Sequence, residues 1–170
     1  MPGGFEITLW VLLLIASVTD LLWGKIFNAT TFPFLFAGLL CRLVLLGFPS
    51  AQEGVLAVGV AFALFFPLWI LRAFAAGDVK LLMAAGAWSD SRTVISVAIT
   101  SIIFGALVGI VVLIGKQGPR EGARNFFNLF RRHAPKTTKH RMPFAPAMLC
   151  AYAFLEIARM KGWQLPWIGV

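Results

Sequence analysis

Residues 54–74 read GVLAVGVAFALFFPLWILRAF: 21 residues whose single charge, Arg72, stands two places from the end. A bilayer-spanning helix needs about 20 consecutive apolar residues, and this stretch meets that length by itself. Pro67 falls inside it and is expected to kink the helix, freeing a carbonyl one turn back. Two more stretches are as long. Thr30–Phe48 carries Pro33 in its first turn, where a missing N–H costs little. Thr93–Gly115 carries Gly105 and Gly109 at G-x-x-x-G spacing with Ser101 one step earlier, a small-residue stripe of the kind that lets helices approach.

Outward from these, Ile7–Leu22 and Pro143–Ala158 reach spanning length with their flanks, and Val79–Trp88 is a shorter apolar run. The expected fold is all-α, a polytopic membrane protein of six transmembrane helices forming one domain over residues 1–170. Composition agrees. The chain is 59% hydrophobic and 13% charged, where a soluble domain carries about 25% charged residues. Nothing basic precedes the first apolar run, so a retained first helix is expected rather than a cleaved signal.

The net charge of +8 would suggest nucleic acid in a soluble protein. Here the excess is concentrated in residues 116–142, which hold eight Lys and Arg against Glu121 alone. Cytoplasmic loops collect basic residues. With this basic loop in the cytoplasm, Lys25, Arg72 and Lys80 also fall inside, and Arg42, Arg92, Arg159 and Lys161 outside. The 15 basic residues then divide 11 to 4. That orientation puts both termini outside the cytoplasm, and no nucleic-acid partner is implied. Within the loop, Asn125–Arg132 runs aromatics into arginines, which suits a segment lying on anionic lipid or a basic linker. His133 and His140 have no metal-ligand spacing, and Cys41 and Cys150 are isolated in apolar runs, so neither metal nor cofactor is expected.

Of the seven acids, Glu6, Glu53, Asp90 and Glu121 read as loop or end residues. Asp20, Asp78 and Glu156 touch apolar runs, where an ionisable group marks a functional hypothesis. Glu156 stands three residues before Arg159, the spacing of a helical ion pair. Asp20 ends the first run and Asp78 begins the fourth, both on the expected cytoplasmic side. Two carboxylates brought together cannot both ionise cheaply, so one keeps its proton. The ionised one can take a proton from water while the protonated one polarises a carbonyl. The structural alternatives are an N-cap role for Asp78 after Gly77 and a pairing of Asp20 with Lys25. Lys80 either stabilises an anionic state of the pair or extends its head to water from the membrane edge.

The stretch Gly77-Asp78-Val79-Lys80-Leu81-Leu82 resembles the G-x-G-D-V-K-L-L signature of the type IV prepilin peptidase family. Thr19-Asp20-Leu21-Leu22 followed by Lys25-Ile26-Phe27-Asn28 resembles that family's first aspartate motif, which usually continues to Ile-Pro-Asn. Met142-Pro143-Phe144-Ala145-Pro146 resembles the Pro-Phe-Gly-Pro opening of its last helix. Ala75, Phe27 and Ala145 depart from the pattern, and none removes a catalytic atom. The resemblance implies an intramembrane aspartic endopeptidase with Asp20 and Asp78 catalytic and Gly77 and Lys80 supporting. It implies removal of a short basic leader from pilin-like precursors at the cytoplasmic face of the inner membrane. It fits the short, peptidase-only form found with Flp (tight-adherence) pili. Other readings of the same acids are an ion-coupled transporter and an inactive assembly factor. The fourth run is too short for an upright span, and the polar Ser89–Arg92 after it is expected to stay at the outer surface, which leads to the expectation that Ala73–Gly77 dips and that Asp78 is recessed in a water-filled pocket.

Overall fold

The computed structural model describes residues 3–71, 73–117 and 144–163, with side chains as far as residue 109 in the long fifth helix. Among these residues there are six α-helices: α1 (Gly3–Trp23), α2 (Asn28–Cys41), α3 (Phe48–Ile70), α4 (Ala76–Trp88), α5 (Ser91–Gln117) and α6 (Ala145–Met160). Residues Arg42–Leu46 continue α2 as a π-helical turn. Four segments are long and apolar enough to cross a membrane: Gly3–Trp23, Asn28–Leu46, Phe48–Ile70 and Ser91–Gly109. Helices α4 and α6, with 13 and 16 residues, are shorter. The outward faces of the four long segments are densely apolar, with Ile7, Leu14, Leu22, Phe36, Val44, Leu56 and Leu107 all exposed. A continuous surface of that kind belongs in lipid rather than water.

Three boundaries differ from the sequence expectation. The second run does not continue to Phe48. Gly47 adopts φ 83°, a left-handed conformation that ends the π turn, and Phe48 and Pro49 already open α3. Ser50, Gln52 and Glu53 are therefore helical, not a loop. Helix α2 begins at Asn28, two residues before the apolar run, so Pro33 lies inside the helix and not in its first turn. Helix α3 ends at Ile70, three residues after Pro67, whose carbonyl accepts the N–H of Leu71.

Helix α4 is the hub. Val79, Leu81, Leu82, Ala84, Ala85, Gly86, Ala87 and Trp88 are all buried, and α1, α2, α3 and α5 pack around it. Small residues permit this. A Cβ on Gly86 would lie 3.0 Å from the Ala57 backbone of α3, and one on Gly38 would lie 2.9 Å from the Ala87 Cβ. Trp88 donates from Nε1 to the Phe34 carbonyl at 2.7 Å, tying α4 to α2.

At the end of the bundle where α4 finishes, the connections are polar. Arg42, counted among the outer basic residues, is only 5% exposed. Its guanidinium donates to the Ala87 carbonyl at 3.0 Å, the Ser89 carbonyl at 2.8 Å and the Ser50 carbonyl at 3.0 Å. Glu53 is likewise engaged, accepting the Ser91 N–H at 3.0 Å and hydroxyl at 2.8 Å at the start of α5. On the same end Glu156 pairs with Arg159 at 3.2 Å, the helical ion pair anticipated from their spacing, and Arg159 lies 3.9 Å from Glu6 of α1.

Candidate active site

The opposite end of the bundle holds both singled-out aspartates. Helix α1 stops because Gly24, at φ 60°, donates its N–H to the Asp20 carbonyl at 2.9 Å, a left-handed glycine stop. Asp20 thus occupies the last turn of α1 and is 9% exposed. The chain crosses to α2 through Lys25-Ile26-Phe27 and enters that helix at Asn28.

Asp78 lies in the first turn of α4. The N-cap is Ala75, so Asp78 occupies the third helical position rather than the cap itself. Its Oδ2 accepts the Ala75 N–H at 2.8 Å, and its own N–H donates to the Ala75 carbonyl at 3.0 Å. The carboxylate therefore binds back to an amide that the helix leaves unpaired. Asp78 is 5% exposed. Gly77 is needed for close approach: a Cβ there would lie 3.1 Å from the Ile26 Cβ, so the α1–α2 link rests directly on the first turn of α4.

Asp20 and Asp78 line one cavity of about 290 Å³, together with Gly24, Lys25, Asn28 and Gly77. Asp20 also accepts a main-chain N–H, from Ala145 at 3.1 Å, although the two residues are 125 positions apart. Ala145 is the first residue of α6. Each aspartate is thus bound by an amide at a helix start, where the helix dipole favours negative charge.

The third sequence motif reaches this site through packing. Phe144 stacks edge-on against Phe74 at 4.5 Å and Phe65 at 5.8 Å, and it lies against Gly105 of α5, where a Cβ would come within 2.9 Å of its ring. This wedge seats the start of α6 beside Asp20. Ser101, one turn earlier on α5, is fully buried and donates back to the Ala98 carbonyl at 3.1 Å.

Lys80 stands outside the cavity lining. Its Nζ donates to Asn28 Oδ1 at 3.0 Å and lies 5.3 Å from the Phe32 ring centre. It meets the site through Asn28, which does line the cavity. Among the described residues no group of His, Cys, Asp or Glu side chains is arranged to hold a metal ion. His133, His140, the surface-lying stretch Asn125–Arg132 and Arg72 fall outside the described residues, as do the side chain of Lys116 and most of the basic segment 116–142.

Sequence reasoning missed two contributors. Ala145 gives Asp20 a main-chain donor, which no side-chain motif announces. Arg42 holds the far end of α4, and its partners are carbonyls remote in sequence. The family model described as the type IV leader peptidase family matches residues 7–110, a stretch that contains both aspartates and stops short of α6. No curated protein and no solved structure matches.

Proposed function

The chain belongs to the type IV leader peptidase family, and from that premise we propose that Asp20 and Asp78 are its catalytic pair. As a family member it is a multi-pass membrane protein and an aspartic peptidase that cleaves the leader from pilin precursors. The single observation that carries the assignment is the shared cavity: two buried carboxylates from different helices face one space of about 290 Å³. Its size suits an extended stretch of chain and a water.

The chemistry follows from the pair holding one proton between two carboxyl groups. The ionised carboxylate takes a proton from water as the water oxygen bonds to the scissile carbonyl carbon. The protonated partner donates to the carbonyl oxygen, which becomes the hydroxyl of the tetrahedral intermediate. Collapse breaks the C–N bond: the amine leaves with the proton that came from water, and one hydroxyl returns its proton to the other carboxylate as the carbonyl re-forms, so the pair again holds one proton. The main-chain amides from Ala75 and Ala145 hold the two groups in place and lower the cost of charge on either. Gly77 serves the site by letting the α1–α2 link lie against α4.

The finer reading places these events at the cytoplasmic face. All six helices cross the membrane, α4 and α6 inside the bundle, with both termini on the far side. The support is the distribution of basic residues. The +7 segment 116–142 is read as a contact for anionic lipid, since like charge would repel a basic leader. The substrate is then a precursor with a short basic leader joined to an apolar helix, as in Flp-type pilins.

The test is mass spectrometry of a co-expressed pilin precursor. Asp20→Asn and Asp78→Asn, near-isosteric changes, should each lower cleavage by ~100-fold or more while the protein stays in the membrane. The double variant should be no worse than either single, because the two act as a unit. EDTA should have no effect. Near wild-type cleavage by either variant refutes the pair, and loss of activity with chelator points to a metal.

A further inference from the structure

A pilin-like precursor has two parts for the enzyme to hold: the segment at the cut and the apolar helix that follows it. The cavity accounts for the first. The second must leave the cavity along a wall of the bundle, and only some walls adjoin it. Its lining comes from the end of α1, the link to α2, the start of α2 and the start of α4. Helix α4 is buried, so α1 and α2 are the exits.

The two differ in shape. The outward face of α1 is aliphatic, with Ile7, Val11, Leu14, Val18 and Leu21 exposed. The outward face of α2 opens farther along into a groove of about 930 Å³ against α3, lined by Phe36, Leu39 and Leu43 on one side and Ala51, Gln52 and Val55 on the other. The groove shares no lining residue with the cavity, and the face of α2 between them is what connects the two. At 100° per residue, Asn28, Phe32, Phe36 and Leu39 fall within an arc of about 80°. One stripe of α2 therefore begins at the cavity wall and ends in the groove, and Phe32 and Phe36 stack along it with ring centres 6.4 Å apart.

Resting on the leader-peptidase reading above, we propose that the α2–α3 groove holds the apolar helix of the precursor. The stripe is the track between the groove and the cut. It also fixes a register. Leu43 lies about 15 residues beyond Asn28, a rise of ~22 Å. A substrate helix running beside α2 from the cavity brings a residue about 15 positions past the cut opposite Leu43. That distance is within the ~30 Å of the hydrocarbon core.

The experiment uses the full chain in membranes. In the Asp78→Asn variant, which leaves the precursor whole, p-benzoylphenylalanine replaces either Leu43 or, at similar distance from the cavity on α1, Ile7. The expected result is a photo-adduct from position 43 to the precursor, mapping about 15 residues past the cut, and none from position 7. A second arm fills the groove with Ala51→Phe in the active chain. KM for the whole precursor should rise roughly five- to tenfold, the signature of lost ground-state binding. Cleavage of a soluble peptide that spans the cut but lacks the apolar helix should be unchanged. The proposal is overturned if position 7 captures the precursor instead. It is equally overturned if position 43 captures only lipid or a second copy of the chain, or if Ala51→Phe leaves KM for the precursor unchanged. Failure of the peptidase reading looks different: the wild-type chain would then cut neither substrate, and the groove assignment would fall with it.

Discussion

Replacing Arg42 by Met tests how the hub helix is held. The substitution keeps an unbranched apolar stem in the space but removes the guanidinium. Three carbonyls then lose their donors: those of Ala87 and Ser89 at the end of α4 and that of Ser50 in the first turn of α3. The last carbonyls of a helix have no partner within it. Leaving a buried acceptor unsatisfied costs ~1–3 kcal/mol, so the gross loss is several kcal/mol. Against this, Arg42 is 5% exposed, and removing a buried cation returns some of its desolvation cost. The lost donors, less the desolvation cost returned, leave a net loss of ~3–5 kcal/mol. At ~2–4 °C per kcal/mol for a chain of this size, Tm should fall by roughly 6–20 °C. Arg42→Lys should recover only part of that, because a single ammonium cannot reproduce a planar fork reaching three acceptors. The assay is thermal unfolding in detergent micelles followed by circular dichroism, with cleavage measured well below the transition. The Met variant should still cleave there, because Arg42 is at the opposite end from the aspartates. A Tm within about 2 °C of wild type for Arg42→Met would refute the idea that these bonds hold α4.

Lys80→Met should lower cleavage by less than about tenfold, well short of the ~100-fold of a lost acid or base, because Lys80 stands outside the cavity lining and meets it through Asn28. A loss as large as that of Asp78→Asn would instead give Lys80 a direct part in catalysis. Orientation is checked by replacing Lys136 with Cys in a chain lacking Cys41 and Cys150. Only reagents that reach the cytoplasm should label it, and labelling from outside intact cells would reverse the bundle.

The two aspartates and their common end of the bundle were legible because helices alternate in direction. Once the apolar runs are counted, the end of α1 and the start of α4 must lie on one side. Helix boundaries were less legible where a turn is itself apolar. Phe48 and Pro49 extend the hydrophobic run across Gly47, and the break shows only in the left-handed φ of that glycine. Glu53 was misread, and the partners of Arg42 went unforeseen, for a shared reason. A charge near the end of an apolar run is ordinarily solvated, and the sequence gives no sign that main-chain groups 38 to 47 residues away will receive it. The Ala145 donor to Asp20 is hidden in the same way, since any residue but proline supplies an N–H.

These buried polar groups also alter the account of why α4 is short. The expectation of a recessed Asp78 rested on Ser89–Arg92 being too polar to leave the outer surface. Yet Ser89 is 1% exposed and donates its hydroxyl to the Ala85 carbonyl, while its own carbonyl accepts from Arg42. Polar backbone is tolerated at depth where protein satisfies it, so the Ser89 end of α4 is not pinned to the surface. A 13-residue helix rises about 20 Å, and the hydrocarbon core is ~30 Å. The difference can be shared between both ends instead of falling wholly on Asp78. What the Asp78 end requires is less than a full recess. It requires that the carboxylate be shielded from lipid and reached by water, and the two conditions are met by different neighbours. Gly77 and Ile26 close the protein over the first turn of α4, and the cavity beside exposed Lys25 and Asn28 leaves a path to water. A helix starting inside the bundle therefore supplies Asp78 with an unpaired amide, a buried setting and a wet face. A longer α4 running on toward the surface would pair that amide within the helix and leave the carboxylate without it.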